Sequence, residues 1–170
     1  MKSCRFLLLI LTISIGTTFA ADQQSAPKPQ PLFSVGEFVR IYDPSVGEKE
    51  PWYINDHCFI QGPDGKWHLF GITRQEPARP AEEDNFAHAV STELYNPDGW
   101  VKQPFALSTD SAGGEAHLWA PYVIEHDGLY YMYYFAGGRT SHEYQLKLAT
   151  SKNLYTWQRH PANPMMIDGF

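Results

Sequence analysis

The chain has 170 residues, a formal charge of −6 and 15% aromatic residues. That length suits one domain, and a negative balance without clustered Lys and Arg excludes a nucleic-acid partner held through its phosphates. Its two cysteines, Cys4 and Cys58, are divided between an N-terminal leader and the body, so neither an intrachain disulfide nor a zinc-ligand pattern is expected.

Residues 1–20 read as a secretory signal peptide. Lys2 and Arg5 supply the positive start, Phe6–Ile15 is almost wholly apolar, and Thr18 and Ala20 are small residues that suit a cut after Ala20. The apolar run is shorter than the ~20 residues a membrane-spanning helix needs, which favours cleavage over anchoring. The expectation is a secreted or periplasmic protein with no membrane association after cleavage. Residues 21–50 form a linker and N-terminal segment, with Pro27, Pro29 and Pro31 in its polar first part and a short strand expected at Glu37–Ile41.

From Trp52 onward, short apolar runs are punctuated by glycine and proline, 13 of each over the whole chain, and no long window carries a helical period. The fold class is therefore all-β. An internal repeat refines it. Asp56–Ile60, a turn with Asp64-Gly65, Trp67–Ile72, Phe86–Ser91, Leu94 and Trp100 succeed one another. In the second half come Trp119–Ile124, a turn with Asp127-Gly128, Leu129–Phe135, Leu146–Ser151, Leu154 and Trp157. Gly65 matches Gly128 and Ser91 matches Ser151, an offset of about sixty residues.

Each unit supplies a strand, an Asp-Gly hairpin, two more strands and a Trp-closed turn into a fourth. Asp-Gly between apolar runs is a strong hairpin signal because both turn positions favour φ > 0. Four antiparallel strands repeated in this way describe propeller blades. Tyr130–Phe135 is apolar or aromatic on both faces, as a blade between neighbours requires. A β-sandwich of hairpins is the alternative, disfavoured by the repeated Ser-x-x-Leu…Trp ending. Residues 51–170 are thus expected to be the first two four-stranded antiparallel blades of a partial propeller, the N-terminal part of a longer protein, since two blades do not close a ring.

Chemistry is expected at the head of the first blade. Asp56 begins its innermost strand, and inner strands line the propeller axis where a pocket forms. Trp52, Tyr53 and Trp119 offer flat apolar faces to sugar C–H groups. Glycoside hydrolysis needs two carboxyl groups across the scissile bond. His57 is placed to hydrogen-bond substrate or Asp56. Glu115, just ahead of Trp119, reads either as a ligand for a sugar hydroxyl or as a surface loop acid. A strand-start aspartate capping backbone N–H groups is the plain structural alternative for Asp56.

Trp52-x-x-Asn55-Asp56 resembles the first-blade acidic motif of the five-bladed propeller glycosidases, families 32, 43, 68 and 117 of the glycoside hydrolases. Trp119-Ala120-Pro121 is similar to the second-blade entry of family 43 especially. Ala149-Thr150-Ser151-Lys152-Asn153-Leu154, with Trp157 beyond it, resembles the blade-closing segment of the same group. The resemblance covers roughly residues 50 to 170. It implies a five-bladed propeller whose first-blade aspartate, here Asp56, is nucleophile or general base. It also implies a third-blade aspartate and a later glutamate acid, neither of which this sequence reaches. His57 stands where family 32 has proline, which leans the reading towards families 43 and 117.

On this reading Asp56 is the catalytic residue, and Trp52, Asn55, His57, Glu115 and Trp119 bind a carbohydrate substrate. The competing readings are a non-catalytic carbohydrate-binding propeller and a purely structural one. No cofactor is expected. No metal is expected either, because no loop resembles an EF-hand. His68 and His88 are expected to be packed or solvent-facing. Glu82, Glu83 and Asp84 are expected to form a solvated acidic face, and Cys58 a small buried hydrophobe.

Overall fold

The computed structural model describes residues 35–138 and 144–165. The leader at 1–20 lies outside the described residues. The chain divides into two units, Met1–Glu37 and Phe38–Phe170. Of the first, only 35–37 are described, exposed and without regular structure. The second is all-β. Its strands are β1 (Trp52–Gln61), β2 (Trp67–Gln75), β3 (Asn85–Ser91), β4 (Val101–Ser108), β5 (His117–His126), β6 (Leu129–Gly137), β7 (Gln145–Ser151) and β8 (Gln158–Arg159). A 3-10 turn, Pro80–Glu82, lies between β2 and β3.

The strands form two antiparallel four-stranded sheets, ordered β1-β2-β3-β4 and β5-β6-β7-β8. Each sheet is a meander in chain order, so sequence neighbours pair without crossovers. The two hairpins are built differently. Asp127 and Gly128 both have positive φ (51° and 74°) and close β5 onto β6 directly, with His126 opposite Leu129. In the first hairpin Gln61 pairs with Trp67 across a five-residue loop, and there only Gly65 has positive φ. Pro63 explains the difference: its fixed φ seats it in an ordinary turn, and the left-handed step falls later, on the glycine.

The core lies between the sheets. Cys58, Phe70, Ile72, Phe86 and Leu107 of the first sheet pack with Leu118, Val123, Tyr130, Met132, Tyr134, Ala136, Ala149 and Leu154 from the second half. Phe86 meets Tyr134 edge to face at 5.8 Å, and Phe70 meets Trp157 at 5.5 Å. Burial of side chains of this size contributes roughly 1.5–3 kcal/mol each. Burial also pushes the Cys58 thiol up to about 11, as expected of a packed cysteine.

The expected strand at Glu37–Ile41 does not form. Val35 and Phe38 are highly exposed, and the segment pairs with no strand among the described residues. The next stretch, up to Glu50, is tied to the first sheet. Ser45 Oγ donates to Trp52 O at 3.1 Å, and Lys102 Nζ reaches Pro44 O at 2.9 Å and also pairs with Glu48. This stretch covers the outer face of the first sheet. The outer face of the second has no such cover among the described residues, so β6 is buried along Tyr130, Met132 and Tyr134 but open at Phe135.

Candidate active site

The site begins with a break in register. Asn55 pairs with Ile72 and Cys58 with Phe70, so Asp56 and His57 together face the single residue Gly71. This is a β-bulge, an extra residue that bends the strand and re-aims a side chain. The bulge puts Asp56 at φ 38°, a left-handed conformation that Asp tolerates better than most residues. Asn55 Oδ1 accepts the Asp56 N–H at 2.8 Å and so satisfies an amide the ladder has dropped. Gly71 is needed opposite, because a Cβ there would stand 2.8 Å from Ile54 Cγ1 and 3.0 Å from His57 Cβ.

The second sheet repeats the device. Trp119 pairs with Phe135 and Tyr122 with Tyr133, leaving Ala120 and Pro121 opposite Tyr134. Ala120 has φ 48°. By register it is the counterpart of Asp56, Trp119 is that of Asn55, and β1 packs alongside β5. Asp56 does not begin its strand, since β1 starts at Trp52; the same strained step interrupts β1 and β5 midway, carrying a carboxylate in one and a methyl group in the other.

Asn55, Asp56 and His57 are exposed, and among the described residues nothing hydrogen-bonds or pairs with the Asp56 carboxylate. His57 lies edge-on to Phe59 at 5.4 Å and helps line a cavity of about 160 Å³ with Ile41, Tyr42 and Leu69. Trp119 is partly buried. Its Nε1 donates to Pro80 O at 3.2 Å, and its ring packs on His117 at 4.4 Å and Tyr144 at 4.8 Å. Trp52 is set apart, at the start of β1, with its ring tilted against Phe105 at 5.9 Å and Lys102 Nζ 5.6 Å from its centroid.

Two acidic expectations are corrected. Glu115 is not a surface loop acid, being only 3% exposed. It accepts from Arg159 Nη2 at 2.6 Å, Asp110 N at 2.9 Å, Tyr134 Oη at 3.1 Å and Lys147 Nζ at 3.3 Å, so protein donors occupy its lone pairs. Burial works against its charge, but Arg159 and the Asp110 amide hold the carboxyl below its usual range. Nor are Glu82, Glu83 and Asp84 all solvated, since Glu83 is buried. Glu82 pairs with Arg79 and Asp84 with Arg74, while the buried Glu83 takes the Tyr53 hydroxyl at 2.7 Å. Burial and then that bond raise the Tyr53 hydroxyl well above its ordinary range. Glu83 O also accepts the Leu118 N–H at 2.8 Å, which fastens this loop of the first sheet to the head of β5.

Nothing in the sequence singles out His117 beyond its place two residues before Trp119. It is 1% exposed, packs tilted on Trp119 and edge-on to Tyr144, and neither ring nitrogen has a hydrogen-bond partner among the described residues. Burial lowers its pKa.

No family model matches the sequence, and no curated protein matches it. Solved structures do. A family 117 glycoside hydrolase of the marine bacterium Zobellia galactanivorans aligns over 72% of this chain and 42% of its own, with TM-score 0.57 and 15% identity. The fold is that of part of a glycosidase propeller. A thermostable family-43 glycoside hydrolase aligns over 69% of this chain and 35% of its own, with TM-score 0.52 and 22% identity. A GH43_1 enzyme of Xanthomonas citri, solved in complex with xylotriose, aligns over 64% and 32%, with TM-score 0.51 and 13% identity. The chain thus spans about a third to two-fifths of the structures it matches, and its two sheets correspond to part of their propellers.

Proposed function

We propose that this chain carries the first part of a glycoside hydrolase active site, with Asp56 as nucleophile or general base towards an oligosaccharide. The observation that supports this reading most is the bulge midway along β1, which sets an unpaired carboxylate on a strained, left-handed residue. Backbone strain of this kind costs roughly 1–3 kcal/mol and is concentrated at functional sites. Trp119, the register counterpart of Asn55, lies on the neighbouring strand β5, where a ring face suits sugar C–H groups. The likeness in fold to families 43 and 117 favours hydrolysis over a purely structural role. Secretion, read from residues 1–20, agrees with a polysaccharide-derived substrate.

In this reading Asp56 acts together with a second carboxyl group. A separation of ~5–5.5 Å would make the enzyme retaining, and ~6.5–9.5 Å inverting. The test is Asp56→Asn in the protein carrying all its blades, assayed on aryl glycosides and xylo-oligosaccharides. Asparagine keeps the shape and the left-handed backbone but removes the charge, so turnover falls by roughly a thousandfold or more while sugar binding and folding persist. Activity within about tenfold of the parent rejects Asp56. Binding without turnover in the parent itself would instead favour the non-catalytic carbohydrate-binding propeller.

A further inference from the structure

A polar chain crosses the seam between the two sheets, running from the exposed Tyr155 in the turn after β7 to the exposed Asp64 of the first hairpin and on to the buried His68 and His88 of β2 and β3. Tyr155, in the turn between β7 and β8, donates its hydroxyl to Asp64 Oδ2 at 2.8 Å, across 91 residues of sequence. Asp64 Oδ1 lies 3.3 Å from His68 Nε2, and His68 Nδ1 lies 2.9 Å from His88 Nε2. His68 and His88 are 0% and 2% exposed. Their rings stack at 5.1 Å, and the Tyr155 ring stands edge-on to both, at 5.0 Å and 5.2 Å.

With both imidazoles neutral and Asp64 ionised, these contacts allow one proton order. Asp64 accepts from Tyr155 and from His68 Nε2–H. His68 is then bare at Nδ1 and accepts from His88 Nε2–H. Both imidazoles are neutral in this arrangement. The titratable and charged groups facing them are Asp64 and Lys66 of the first hairpin, each other across β2 and β3, and Tyr155 from the second sheet, with Tyr130 near Asp64. An imidazolium at either buried ring would carry its charge out of water while the Tyr155 ring stays edge-on to both.

We propose that Tyr155, Asp64, His68 and His88 form an acid-released latch, which holds the closing turn of the second sheet on the first hairpin while both histidines are neutral and lets go when one is protonated. The expected pH window comes from burial. Burial lowers the pKa of both rings, that of His88 to about 3. The unfolded imidazoles titrate near about 6.5, so the unfolded chain takes up protons first. The latch contributes fully above about pH 6.5 and is lost as pH falls towards the native values.

The test is the folding equilibrium of the chain between about pH 7.5 and pH 5, above the range where unperturbed carboxylates titrate, for the parent, His88→Asn, Tyr155→Phe and the double variant. His88 alone lowers the parent's folding constant about thirtyfold over that interval, and His88→Asn removes that factor. Tyr155→Phe is expected to cost less in the His88→Asn background than in the parent, since both changes break one chain. Equal pH dependence of parent and His88→Asn overturns the proposal, as do strictly additive effects. If His88→Asn does not fold, ring nitrogen resonances of the parent decide. Nε2–H tautomers with no protonation above about pH 5 support the latch, and titration near about 6.5 in the folded chain rejects it.

Discussion

Ala120 and Asp56 occupy the same left-handed step in two copies of one bulge, and the backbone strain there weighs on them unequally. A β-carbon in that conformation costs roughly 1–2 kcal/mol, eased for Asp and Asn by local hydrogen bonding but not for Ala. Glycine removes the strain at a cost of about 0.4–1 kcal/mol in unfolded-state entropy. Ala120→Gly is therefore expected to stabilise the chain by about 0.5–1 kcal/mol, read as a higher urea midpoint at unchanged slope. A lower midpoint would mean that the alanine methyl makes contacts worth more than the strain it causes. Asp56 itself is legible in the sequence because it opens a repeat unit next to aromatics. The bulge is not, since an extra residue in one strand shows only against its partner, and Gly71 lies fifteen positions downstream of Asp56. The roles of His117 and Glu83 stay hidden for a related reason. Glu83 meets β5 through the loop at 76–84, and His117 packs on the rings of Trp119 and Tyr144, arrangements that no local pattern announces.

At the scale of elements, the repeat places every strand of the two sheets, because strand periodicity and Asp-Gly turns are local signals. It fails where tertiary contact decides. The first hairpin is longer than its Asp-Gly suggests because of Pro63, and Glu37–Ile41 lacks a strand to pair with. Glu115 belongs here too, since it joins elements rather than lining a site: it ties the loop before β5 to Lys147 of β7 and Arg159 of β8. Its side chain is fully buried and that of Lys147 is 6% exposed. Removing one member leaves the others charged in the interior, so Glu115→Ala is expected to cost about 3–5 kcal/mol at neutral pH. The lowered carboxyl sets the sign with pH. Its contribution is present above the unfolded value of about 4.3 and is lost as pH falls through the lower native one. A midpoint shift below about 1 kcal/mol would reduce the cluster to a solvated surface contact.

Across the whole molecule the two sheets are covered unequally. The outer face of the first lies under the segment that runs from Ile41 to Glu50. On the outer face of the second, Tyr122 stands opposite Tyr133, Ile124 opposite Tyr131 and Phe135 opposite Leu146, so their side chains share one surface. Tyr122 is 62%, Phe135 44% and Ile124 39% exposed. A contiguous patch of this character on a flat sheet drives association. The chain as given is therefore expected to self-associate at micromolar concentration. Tyr122→Lys with Phe135→Lys, both on the solvent side of their strands, is expected to shift it towards monomer without lowering the melting temperature by more than a few degrees. Sedimentation velocity across a concentration series reads this directly. A parent chain that sediments as a monomer throughout would show that polar neighbours already shield the face, and a double variant that still associates would place the sticky surface elsewhere, on the exposed segment around Val35 and Phe38.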